Sequence, residues 1–166
     1  MRFTILAVSV ILAVAIQATW LARLNLPGHI IPDLILILVI SYGLLRGPDE
    51  GLLFGLAAGF FLNLHTGGII GIEALSKMLA GYCAGLLEKN IFKDNLLVPA
   101  IAVCGGTLLF NSLSGIMYTA FNSNFNFLGV LVSNVLPQAV YNAVLAPLIY
   151  YFLFKTEQFL VEQSNS

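Results

Sequence analysis

The residues best placed to do chemistry are Glu73 and Lys77, four apart in Glu73-Ala74-Leu75-Ser76-Lys77. On a helix this spacing stacks the two side chains on one face, with glutamate on the N-terminal side, the favoured order for an ion pair. Asp33, Asn63, Asn111, Asn134, Gln138 and Asn142 each interrupt apolar surroundings. Carboxylates and amides so placed can bond one another between helices, hold a polar solute or carry a proton. Catalytic sets are missing. Ser76 adjoins Lys77, but helix neighbours point about 100° apart, so they make no Ser-Lys dyad. There is no HExxH, GxSxG, phosphate-binding loop or dinucleotide fingerprint. Asp49 and Glu50 are expected in a solvated turn. His29 and His65 stand alone, and Cys83 and Cys104 lack CxxC spacing, so no metal and no cofactor is expected. The cysteines read as small hydrophobes in the core. The chain is not expected to be an enzyme.

The elements that must carry these groups follow from composition. Of 166 residues, 59% are hydrophobic and 9% charged, against about 45–50% and 25% in ordinary soluble domains. Fifteen charged residues cannot clothe so much apolar surface in water, so lipid is the solvent for most of the chain. Formal net charge is −1, with seven Lys and Arg and no basic run, which excludes nucleic-acid binding. Six apolar stretches are long enough to matter: Phe3 to Ala22, Pro32 to Leu45, Gly51 to Leu64, Ile69 to Leu87, Leu96 to Phe121 and Phe127 to Phe154. The second and third are short, about 21 Å each, and are expected to span with local bilayer thinning. The prediction is an all-α bundle of six transmembrane helices in one domain, residues 1–155, followed by a short cytoplasmic tail, 156–166. Arg2, Arg46, Lys89, Lys93 and Lys155 fall on one side and Arg23 on the other, which places both termini in the cytoplasm and Asn122 to Asn126 outside.

Glycine recurs at every fourth position in Gly47, Gly51, Gly55 and Gly59, echoed by Gly81 and Gly85. On a helix this makes a groove without side chains, where another helix approaches to backbone contact. That helix belongs either to this chain or to a partner. In the last span Pro137 and Pro147 each remove a backbone donor, which predicts a kinked helix, for shape or as a hinge.

Under the predicted topology Glu73 lies about 6 Å and Lys77 about 12 Å below the outer surface, at 1.5 Å per residue. Asp33, Asn63, Asn111, Asn134 and Gln138 map to the same outer half. A hydrogen-bonded core explains that coincidence, and so does a polar cavity opening outward. Taken in order, Pro32-Asp33-Leu34, Arg46-Gly47-Pro48 with the glycine series, Gly71 with Ala74-Leu75, Gly81-Tyr82 with Gly85, and Tyr141-Asn142-Ala143 with Ala146-Pro147 resemble the bacterial rod shape-determining protein MreD family. The likeness runs from about Pro32 to Tyr151. The family often carries an aspartate where this chain has Asn63, so no negative charge carries over to that position.

The resemblance implies a non-enzymatic scaffold of the bacterial cytoplasmic membrane, working with an MreC-type partner, and through the complex with MreB, RodA and a class B penicillin-binding protein, in cell elongation and peptidoglycan synthesis. It also implies a helical arrangement similar to the S components of energy-coupling-factor transporters, which makes a vitamin-binding transporter subunit the runner-up reading. A proton- or ion-coupled transporter using Glu73 and Lys77 is the third.

Overall fold

The computed structural model describes residues 2–17, 30–67, 71–88, 97–121 and 127–164, and no strand occurs among them. Its helices are α1 (Arg2–Ile16), α2 (Leu34–Arg46), α3 (Pro48–Thr66), α4 (Ile72–Leu86), α5 (Leu97–Phe121), α6 (Phe127–Val130) and α7 (Leu136–Ser164). A π-helical turn, Leu131–Val135, joins α6 to α7 without a break. Among the described residues, six helical rods therefore stand where six apolar stretches were read.

Helix α2 is apolar on every side, and such a helix must be enclosed. Every residue from Ile35 to Leu45 is buried, and α1, α3, α4, α5 and α7 all pack on it. Asp33 starts this helix, its Oδ1 accepting the Leu36 N–H at 2.9 Å, an N-cap contact worth about 1 kcal/mol. A single residue, Gly47, joins α2 to α3. Its φ of 92° lies in the left-handed region, which a side chain would make costly, and Pro48 then begins α3 with φ already set for a helix.

Gly51, Gly55 and Gly59 on α3 face Gly81, Lys77 and Ala74 on α4, and Gly85 faces Gly47 and Pro48. The approach is backbone to backbone. A Cβ at Gly59 would lie 2.6 Å from the Glu73 carbonyl oxygen, and one at Gly55 or Gly81 would overlap the carbonyl oxygen of Lys77 or Gly51. Gly43 of α2 joins the same crossing, where a Cβ would lie 2.5 Å from the Gly81 carbonyl oxygen. The groove is thus filled by this chain's own α4. Gly47 corrects the expectation of one straight groove on one helix, since it is the joint between two.

Three further observations bear on what the sequence led one to expect. Cys83 is exposed and Cys104 half-buried, so neither is a core residue; a thiol is apolar enough to sit on an outward face in lipid. The last helix continues through the expected tail to Ser164, and Glu157 reaches back to within 3.4 Å of Arg46 Nε. Local irregularity falls just before Pro137, where the Leu136 N–H bonds the Leu131 carbonyl in a π turn, and Pro147 lies within α7.

The outer surface is apolar. Leu97, Ile101, Leu109 and Ile116 on α5 and Val140, Val144, Leu148 and Phe152 on α7 are exposed, Val144 by 73%. On α7 they recur every four residues along one face, the surface expected of a helix against lipid and foreign to a protein in water. Among the described residues, Leu97–Ala120 and Leu128–Phe159 are long and apolar enough to cross a membrane, and α2 is a shorter apolar helix.

Candidate polar site between the helices

Lys77 comes from the middle of α4 and is 1% exposed. Helical side chains lean toward the N-terminus, which brings its ammonium back along α4 to Glu73. Nζ donates to Glu73 Oε2 at 2.7 Å and lies 3.0 Å from Asp33 Oδ2 at the start of α2. The sequence pairs Lys77 with Glu73 alone, whereas packing adds Asp33. With both its oxygens engaged, Asp33 ties the N-cap of α2 to the side chain of α4.

Hydrogen bonds continue from Asp33 across the bundle. Its backbone N–H donates to Asn142 Oδ1 of α7 at 2.9 Å, and Asn142 Nδ2 donates to Thr107 Oγ1 of α5 at 3.0 Å. The Thr107 hydroxyl donates to the Val103 carbonyl at 2.7 Å. Asn142 and Thr107 are fully buried, so in hydrocarbon each polar atom needs such a partner. One turn before Asn142 on α7, Gln138 Nε2 donates to the Ile31 carbonyl at 2.7 Å and Asn111 Nδ2 donates to Gln138 Oε1 at 2.6 Å. The hydroxyls of Ser114 on α5 and Ser76 on α4 meet at 2.7 Å. Asp33, Glu73, Lys77, Asn111, Gln138 and Asn142 thus form one polar region built from α2, α4, α5 and α7.

Two of the amides singled out in the sequence stand apart from it. Asn63 is buried, but its Oδ1 accepts the Gly71 N–H at 3.3 Å and its carbonyl accepts the Gly67 N–H, so it closes the α3–α4 connection. Asn134, on the π turn, is exposed and makes no bond to the ion cluster, meeting it only as part of the wall of the cavity above it. The turn Asn25 to Gly28, His29 and the Asn122 to Asn126 segment lie outside the described residues, as does the His65 side chain.

Above the ion cluster opens a cavity of about 650 Å³, lined by Asp33, Glu73, Asn111, Asn134 and Gln138 among others. Thr107, Ser114 and Gly43 were missed in the sequence, and Ser76 was weighed there only as a dyad partner of Lys77. Gly43 carried a usable signal, lying four residues before Gly47. The hydroxyls carried none, because serine and threonine in a helix bond a preceding carbonyl as readily as a neighbour.

A second charged cluster sits at the opposite end of α2. Tyr42 OH donates to Glu50 Oε2 at 2.8 Å, and Arg46 Nε lies 3.4 Å from carboxylate oxygens of both Glu50 and Glu157. No group of three or more His, Cys, Asp and Glu able to hold a metal occurs among the described residues.

A family model described as rod shape-determining protein MreD matches residues 1–160 of the chain. No curated protein and no solved structure matches it.

Proposed function

The chain belongs to the MreD family of rod shape-determining proteins, a membrane family, and from that premise we propose that it is a non-enzymatic scaffold of the cell-elongation complex. In this reading it crosses the bacterial cytoplasmic membrane six times with both termini inside, in an arrangement like that of transporter S components. It holds an MreC-type partner, and through it MreB, RodA and a class B penicillin-binding protein, by contact between helices. The observation that carries the proposal is the family match over nearly the whole chain.

Physical features support it. A scaffold must present one fixed surface, and the backbone-close α3–α4 seam together with the ion cluster favours a single packing of the helices. Because α4 fills the glycine groove, the partner meets the outward faces or the connecting segments.

Depletion in a rod-shaped host tests the role, with affinity purification from native membranes in mild detergent as its companion. Rounded cells and co-purification of an MreC-type protein are expected. Rods that stay rods, with growth limited by one vitamin, would overturn the proposal in favour of a transporter subunit. Thiol labelling of a cysteine placed in segment 122–126 tests the orientation, with reaction expected from the exterior.

A further inference from the structure

The ion cluster is not electrically balanced. Two carboxylates, Asp33 and Glu73, surround one ammonium, that of Lys77, and the excess negative charge resides where no other described cationic group lines the cavity. Asp33 is fully engaged, with Oδ1 on the Leu36 N–H and Oδ2 on Lys77. Glu73 bonds Lys77 through Oε2, and its side chain is 22% exposed, so the uncompensated charge faces the cavity. At membrane depth two carboxylates that share one ammonium call for water or a further cation.

Other groups converge on the same space. Gln17, just beyond α1, lines the cavity, and its side-chain carbonyl oxygen is buried with no hydrogen-bond partner among the described residues. Tyr118 also lines the cavity. The remaining wall is largely aliphatic, from Ile30, Ile31, Leu62, Val130 and Val135. About 650 Å³ falls within the range of small-molecule sites, which are mostly apolar with a few directed polar groups.

We propose that this cavity binds an organic ammonium ion, its charge on the Glu73 carboxylate, an N–H directed to Gln17 and its apolar body against the aliphatic wall. A hard metal cation fits poorly, since it asks for six or more oxygens and Asp33 has none to give. An ammonium group asks for one negative charge and a few acceptors, which is what the cavity offers. Its source is either a free amine or the headgroup of an aminophospholipid. The proposal is independent of the partner assigned above.

Thermal unfolding of the full chain in maltoside detergent, with n-hexylammonium as probe and n-hexanol as its uncharged match, tests this. A saturable rise in Tm of about 3 °C with hexylammonium alone is expected. Glu73→Gln, which leaves Lys77 balanced by Asp33, should abolish the rise. Asn134→Lys, at an exposed lining position, should abolish it by bringing an ammonium into the cavity, and keeps the test decisive should the first variant fail to fold. Nanodiscs separate the sources. If phosphatidylethanolamine raises Tm over phosphatidylglycerol and removes the hexylammonium response, the source is lipid; a response that persists in both points to a free amine. No response to hexylammonium, an equal response to hexanol, or an undiminished response in a folded Glu73→Gln or Asn134→Lys protein overturns the proposal.

Discussion

The α3–α4 seam and the α2–α5–α7 seam solve one problem by opposite means. Between α3 and α4 there is almost no side chain, and Gly51, Gly55 and Gly59 lie on the backbone of α4. Between α2, α5 and α7 the contact is made by side chains, with Asn142 reaching Asp33 on one side and Thr107 on the other. Lipid tails are as apolar as leucine, so neither seam gains from burying hydrocarbon away from water. One gains dispersion contact by close approach, the other hydrogen bonds that hydrocarbon cannot replace. The first should be intolerant of added volume, the second of lost polarity.

Gly55→Leu is the sharpest way to break the comparison. Even the first added carbon meets the Lys77 carbonyl, which is backbone and cannot swing aside, so the cost should exceed the roughly 1–3 kcal/mol of ordinary overpacking. Loss of the monodisperse peak in detergent size-exclusion chromatography is expected. A folded Gly55→Leu protein with near-native Tm would mean that the seam is not the tight contact described.

Lys77→Met comes next, because it strands two carboxylates around an apolar side chain. Removing one partner of a buried pair costs about 3–5 kcal/mol, and the lower end is expected since Glu73 reaches the cavity. Adding Glu73→Gln should restore part of the lost Tm. If the double variant is no better than Lys77→Met alone, charge is not what Lys77 contributes.

Asn142→Leu keeps the number and branching of the side-chain heavy atoms and deletes the links to Asp33 and Thr107. Interhelical hydrogen bonds in membranes average about 0.6 kcal/mol and reach about 1.7, so a loss of about 1–2 kcal/mol is expected. Read as a fall in Tm well short of that for Gly55→Leu, it would confirm that the polar seam yields gradually. An equal fall would erase the distinction between the two seams.

Much of this architecture was legible because its causes are local. The apolar stretches Pro32 to Leu45 and Gly51 to Leu64 mark helices whose ends the structure places within a few residues, and the Glu73 to Lys77 contact follows from helix geometry alone. What the sequence hid depends on which helices become neighbours. Asp33 is forty-four residues from Lys77 in sequence, and nothing in either segment says that α2 begins beside α4. Matching depth narrowed the polar residues to one half of the bundle without separating Asn111 and Gln138, which bond each other, from Asn63, which closes a connection. Gly47 misled because the four-residue repeat runs through a helix joint, and only the following Pro48 marks the break.

The smallest effect is expected at the far end of α2, where Arg46 faces Glu50 and Glu157. The geometry there is loose at 3.4 Å, and the Glu50 side chain is 46% exposed. Partly exposed pairs contribute about 0–1 kcal/mol and weaken with salt. Arg46→Gln should therefore lower Tm by less than Asn142→Leu, and the difference from the parent should shrink between low salt and about 1 M salt, where the screening length is near 3 Å. The cluster at Lys77 differs in burial, not in the kind of charge, so the Lys77→Met deficit should persist in the same salt series. A deficit at Arg46 that ignores salt would show that this end of the molecule, too, is sealed from water, and that Glu157 fastens the end of α7 to α2 as firmly as Asp33 fastens α2 to α4.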